Sequence, residues 1–220
     1  CRADGSAVMG APQLSIMASA GERSLKLASL NKPRVSDAGV TMLTYDYRDD
    51  HATGSSVASD GVNVLATIIG GRASIGESLL LQVTEVAEDA QTRTLAEDQV
   101  LLTGSAGGYT EGLAFLRALT PGELVTVSFS TPDTRWNGVT EAIGAYYSLV
   151  ENGAAKEDFE VSAAPRTAVG VKANGEVVFY ALDGRQNAVS MGASLGVLAK
   201  RMAELGCVTA LCLDGGGSTT

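Results

Sequence analysis

Val125, Val127 and Phe129 alternate with other residues across Glu123–Phe129 (ELVTVSF), the two-residue period of a half-buried strand. Apolar runs rich in β-branched residues and bounded by turn formers predict further strands at Val40–Tyr45 (VTMLTY), Gly61–Ile69 (GVNVLATII), Ser78–Val86 (SLLLQVTEV) and Gln99–Thr103 (QVLLT). GGRASIGE joins the second and third of these and suits a β-meander, while GSAGG bounds the last. Gln13–Ala18 and Ser24–Leu30 are strand candidates within an opening segment rich in Ala, Gly and Ser. Thr167–Lys172 and Glu176–Leu182 flank Asn174-Gly175, a pair that tolerates the positive φ of a tight turn, and so predict a hairpin.

Two segments read as helices. Thr110 stands as a cap before EGLAFLRAL, and Thr120-Pro121-Gly122 stops the run. Further on, Ser194 caps a segment in which Leu195, Leu198, Met202 and Leu205 recur at three- and four-residue steps, with Lys200 and Arg201 on the outer side and Gly206 as a left-handed terminus. Val208–Leu213 then reads as a buried strand that runs directly into Asp214-Gly215-Gly216-Gly217-Ser218. Neither an internal repeat nor a low-complexity linker interrupts this order. The expectation is one α+β unit of mixed, largely antiparallel sheets with a few packed helices.

Composition narrows the function. A formal charge of −9 and a pI near 4.6 argue against a general nucleic-acid binder, which needs a basic face to displace counterions. Charged residues make up 19% and hydrophobic ones 45%, so the chain can bury a core. No apolar run approaches the roughly 20 residues of a membrane span. The three cysteines are too few for a disulfide scaffold, and Cys207 and Cys212 lie in an apolar stretch where Cys serves as a small buried hydrophobe. His51 is the single histidine, which removes multi-histidine metal centres and obliges any Ser-His-Asp triad to recruit it from the polar segment YRDDHATG. Asp46, Asp49 and Asp50 around it lack the alternating ligand spacing of a calcium loop.

Two polar groups remain as candidate chemistry. Gly215, Gly216 and Gly217 let the backbone approach a ligand closely and aim successive N–H groups at an anion, with Ser218 and Thr219 adding hydroxyls and Asp214 a carboxylate. The alternative is a plain glycine turn. The second group brackets the hairpin: Arg166 and Thr167 stand before it and Asp183-Gly184-Arg185 after it, so two guanidiniums and a carboxylate share one end of the sheet. Guanidinium forks match phosphate oxygens in two-point contacts; an Arg–Asp pair that merely closes the hairpin is the other reading.

Taken together, PRTAVGVKANGEVVFYALDGRQ and GASLGVLAKRMAELGCVTALCLDGGGSTT closely resemble the phosphodiester glycosidase family. Residues 99–153 resemble the stretch that precedes these motifs, including Trp136 and EAIGAYYSLVENG, where Ala145 stands in place of a usual second glycine. The resemblance extends over residues 1–220 as one glycosidase-like domain, is strongest over 99–220, and implies a domain incomplete at both ends. It implies hydrolysis of a sugar-1-phosphodiester with release of the sugar, on a glycan outside the cytoplasm or in the cell envelope. Carried over, Arg166, Asp183, Arg185 and Asp214 become the catalytic candidates, and Gly144, Thr167, Gly215, Gly216, Gly217, Ser218 and Thr219 the substrate-binding ones. A phosphate monoester is already a stable leaving anion, so no strong general acid is required. The partner implied is a glycosyl-phosphodiester. No cofactor is called for, although a carboxylate pair beside a phosphate leaves room for a divalent cation. The competing reading is a non-catalytic carbohydrate- or phosphate-binding envelope module, in which Trp136, Tyr146 and Tyr147 stack on sugar faces instead of filling a core.

Overall fold

The computed structural model describes residues 1–33, 39–54, 61–88, 92–105, 110–159 and 161–219. Contacts divide the chain into two compact units, residues 12–137 and residues 1–11 with 138–220. Among the described residues each unit holds one sheet and one α-helix, which bears out the α+β expectation. Among the described residues no helix is long and apolar enough to cross a membrane.

Residues 12–137 form an eight-stranded sheet from β1 (Ser15–Ala20), β2 (Arg23–Lys26), β3 (Ser29–Leu30), β4 (Thr41–Thr44), β5 (Gly61–Gly71), β6 (Ser78–Ala87), β7 (Gln99–Ser105) and β8 (Leu124–Ser130). Their order is β2-β1-β8-β6-β5-β7-β4-β3, antiparallel throughout except for the β3–β4 pair. The candidate at Ser24–Leu30 is thus two short strands. The β5–β6 hairpin forms as its glycine-rich joint predicts, yet β7 returns beside β5 instead of extending the meander beyond β6. The reason is burial: QVLLT is apolar without alternation, and only a central strand buries both of its faces. Val100 and Leu102 accordingly enter the main core on one face, where helix α1 (Thr110–Arg117) supplies Leu113, Phe115 and Leu116, while Leu101 meets Leu43 and Leu95 on the other. Thr110 is the first helical residue and not the cap expected of it; the residue before it lies outside those described.

In residues 138–220 a five-stranded sheet runs β10-β9-β13-β11-β12, all pairs antiparallel, from β9 (Tyr147–Glu151), β10 (Ala154–Ala155), β11 (Arg166–Lys172), β12 (Val177–Leu182) and β13 (Cys207–Cys212). The β11–β12 hairpin closes on a Lys172–Glu176 backbone bond, and only Gly175 of Asn174-Gly175 takes positive φ. The turn with both central residues at positive φ is instead Asn152-Gly153, which joins β9 to β10. Helix α2 (Leu195–Glu204) is capped as expected, Ser194 Oγ accepting the Val197 N–H at 3.3 Å, and it buries Leu195, Leu198, Ala199 and Met202 against the sheet. Cys207 and Cys212 are unlinked and buried in the same core. Gly170, in the middle of β11, leaves room for this packing: a Cβ there would sit 2.5 Å from the Cys207 Sγ.

Candidate functional site

The hairpin geometry decides what shares an end of the five-stranded sheet. Because β11 runs antiparallel to both β12 and β13, the start of β11 lies beside the ends of its two neighbours. Arg166 pairs with Leu182, and the Leu213 N–H donates to the Thr167 carbonyl at 2.9 Å. The start of β9 completes the row, since Tyr147 pairs with Cys212 and the Tyr146 N–H donates to the Cys212 carbonyl at 2.9 Å. Arg166, Thr167, Asp183, Arg185 and Asp214–Thr219 therefore gather at this end of one sheet, while Gly144 lies in the segment that leads into β9 with no contact to them among the described residues. The single histidine, with Asp46, Asp49 and Asp50, belongs to residues 12–137; there His51 stacks on Tyr45 at 3.5 Å and its Nδ1 meets the Tyr45 carbonyl at 2.9 Å.

Asp214 follows β13 in an exposed position, with both carboxylate oxygens fixed. The Gly215 N–H donates to Oδ1 at 2.8 Å and the Ser218 Oγ–H to Oδ2 at 2.9 Å. The following glycines run into a 3-10 turn at Gly216–Thr219, held to the sheet by Thr167 Oγ1 and Thr219 Oγ1, 3.1 Å apart. Two of the amides expected to face an anion are already engaged, Gly215 by Asp214 and Gly216 by the Pro165 carbonyl at 2.9 Å. Those N–H groups therefore shape the bend and leave the electropositive role to side chains.

Arg185 fills that role by position. A Cβ on Gly216 would lie 3.3 Å from the Arg185 Nη2 and 3.7 Å from its Cζ, so the guanidinium lies against the bend and the missing side chain admits it. Among the described residues it makes no hydrogen bond or ion pair, so the Arg–Asp closing pair is absent from this end of the hairpin. Its backbone is left-handed, φ 59°, an uncommon state for a residue other than glycine that marks a held conformation. Arg166 differs. Its Nε donates to the Ala193 carbonyl at 3.2 Å and its Nη2 to the Ser162 carbonyl at 3.0 Å, so the second guanidinium of the expected pair is largely spent on main chain. Its charge still reaches the site: burial pushes the Cys212 thiol up, Arg166 pulls against that shift and Asp214 adds to it.

The loop that carries Arg185 is held by contacts that no sequence motif announces. Ser190 Oγ donates to the Asp183 carbonyl at 2.7 Å and accepts the Gly192 N–H at 3.1 Å, while Gln186 and Ser190 pair across the loop. Gly184 is buried, and a Cβ there would come 2.7 Å from the Pro165 nitrogen; Gly192, at φ 92°, presses on Ala164. The sequence signal is limited to two glycines and a serine between Asp183 and the Ser194 cap. Asp183 itself is exposed with no bonded partner for its carboxylate among the described residues. Gly144 is exposed, lacks positive φ and has open space where a Cβ would go, so local sterics do not require glycine there. Among the described residues no three of His, Cys, Asp and Glu gather closely enough to hold a metal ion.

The phosphodiester glycosidase family profile matches residues 82–220, more than half of the sequence and all of the elements that build this site. The chain belongs to the phosphodiester glycosidase family. No curated protein matches it. Its fold is shared with a hypothetical protein from Synechocystis, 22% identical at a TM-score of 0.62, the alignment covering 94% of this chain and 37% of that one. A Burkholderia pseudomallei K96243 protein described as exported is 21% identical at a TM-score of 0.60, covering 93% of this chain and 48% of that one. The catalytic domain of zebrafish N-acetylglucosamine-1-phosphodiester alpha-N-acetylglucosaminidase, auto-inhibited by its pro-peptide, matches at 15% identity and a TM-score of 0.31, over 94% of this chain and 62% of that one. This glycosidase-family chain thus spans under two thirds of each of these solved chains.

Proposed function

We propose that the chain hydrolyses a sugar-1-phosphodiester at the bend after β13, with Arg185 binding the phosphate and Asp214 serving the anomeric carbon. The observation that carries this reading is the Arg185 guanidinium, free of any partner among the described residues, resting over Gly216 within the same turn that fixes Asp214. A free guanidinium above an exposed hydroxyl-bearing turn suits a phosphate, because charge-assisted bonds from Arg are short and directional. Thr219, whose Oγ1 accepts from Thr167, keeps its hydroxyl proton for a phosphate oxygen, while Ser218 spends its own on Asp214 and so holds the carboxylate.

The step balances without a strong acid. Asp214 takes a proton from water, the water oxygen bonds to the anomeric carbon, and the carbon–oxygen bond to phosphate breaks with its electron pair leaving on the phosphate. Arg185 offsets the charge gathering there. Asp183 lies at the same sheet end as a second carboxylate. Arg166 acts by holding the strand start against Ala193 and Ser162. The setting we propose is a glycan outside the cytoplasm or in the cell envelope.

Turnover of a chromogenic hexose-1-phosphodiester by the full chain tests the assignment. Arg185→Ala is expected to lower kcat/KM by about 10²–10³-fold, the cost of removing a preorganised charge donor, and Asp214→Asn by about 10²–10⁴-fold, with unchanged folding. Full activity in both variants rejects these roles. Heat of binding without product from the unmodified chain would favour a binding module instead.

A further inference from the structure

A phosphate grip and a carboxylate account for half of a sugar-1-phosphodiester; the sugar itself needs a surface. We propose that Tyr146 and Tyr147, backed by Phe159, form the platform for the uncharged sugar ring on the glycosyl side of the scissile bond. The proposal rests on the reading of Asp214 and Arg185 given above. Tyr146 is 72% exposed and Tyr147 51%, so neither fills the core that an aromatic pair in this segment would ordinarily enter. The Tyr147 ring is nonetheless fixed, meeting Phe159 edge-on at 6.3 Å and 85°. Between them lies a cleft of about 560 Å³ whose remaining wall is polar, with Ser148, Lys156 and Asp158. Flat apolar faces with a few hydrogen-bonding groups are what a sugar ring presents in complement, carbon–hydrogen faces above and hydroxyls at the rim.

Charge selects the sugar over a second phosphate. The Lys156 ammonium is paired with Glu151 at 2.6 Å, and Glu157 and Asp158 add negative charge to the same cleft. An anion gains nothing there, whereas hydroxyl donors do. Position points the same way. β9 lies one strand from β13 on the side opposite β11 and β12, at a spacing of roughly 5 Å per strand. The row across the sheet end therefore reads tyrosines, Asp214, then the Arg185 bend. That order matches sugar ring, anomeric carbon and phosphate in the substrate.

Methyl glycosides of neutral hexoses and N-acetylhexosamines, which carry no phosphate, are the probe, titrated into the full chain by calorimetry and ligand-observed NMR. Binding to the unmodified chain is expected, weakened about tenfold by Tyr146→Ala, retained by Tyr146→Phe, and unaltered by Arg185→Ala. The exposed position of Tyr146 means its truncation leaves the fold intact. Absence of binding by every glycoside, or equal binding by Tyr146→Ala, overturns the platform. Phosphodiester turnover is scored separately on the same preparations. Loss of the functional reading appears as no hydrolysis, while loss of the platform appears as hydrolysis whose KM is unmoved by Tyr146→Ala.

Discussion

Arg166 and Arg185 look equivalent along the chain, one on either side of a hairpin, and three dimensions separate them. Arg185 rests over Gly216 with no partner among the described residues, whereas Arg166 spends Nε and Nη2 on the Ala193 and Ser162 carbonyls. Their variants should fail in different ways. Arg166→Met is expected to lower stability by about 1–2 kcal/mol in urea unfolding, the worth of lost charged-donor hydrogen bonds at a part-exposed site, while Arg185→Met leaves the unfolding midpoint in place. A stability loss confined to Arg185 would reverse this assignment. The sequence made both residue types and their shared sheet end legible. It could not show which guanidinium is free, because the competing acceptors lie four and twenty-seven positions away from Arg166 in loops of no fixed pattern. Likewise, the Pro165 carbonyl that engages the Gly216 amide becomes its neighbour only once β11 and β13 have paired.

At the scale of elements, alternating segments, apolar runs bounded by turn formers and the helical stripe of α2 were legible, and β9 was not. The alternation in β8 and the helical stripe of α2 are where the sequence places them. β9 went unread, although Tyr-Tyr-Ser-Leu-Val favours a strand, because its pairing with β13 shifts register between Ala210 and Leu211 and leaves Leu149 and Val150 both fully buried. A bulge of this kind erases the two-residue period. Packing of α2 on this sheet yields two further tests. Gly170→Ala would drive a Cβ to 2.5 Å from Cys207 Sγ and 2.9 Å from Met202 Cε, and overpacking of this kind should cost about 1–3 kcal/mol in chemical denaturation; a variant as stable as the parent would contradict the packing. The second concerns pH. Burial raises both the Cys207 and the Cys212 thiol above the ordinary 9.0. The folded form then keeps protons that the unfolded chain releases, so this contribution is intact below pH 9 and declines as pH climbs toward the raised folded values. Urea midpoints measured upward from neutral pH should fall less steeply in Cys207→Ala/Cys212→Ala than in the parent, and parallel curves would refute it.

For the whole molecule, family membership rests on residues 82–220, and the fold is that of solved chains only 21–22% identical. The α+β class followed from the order of periodic segments. The division into two compact units did not, since the joint near residue 138 carries no Pro-, Ser- or charge-rich linker to announce it. With a formal charge of −9 the chain should leave duplex DNA unshifted at physiological salt; micromolar binding in a mobility-shift assay would contradict that. The central claim concerns which bond breaks, and hydrolysis of a hexose-1-phosphodiester in oxygen-18 water reads it directly. Attack at the anomeric carbon by water activated at Asp214 predicts the heavy oxygen in the released hexose, with none in the phosphate monoester. Label in the phosphate, or no hydrolysis at all, would contradict the account.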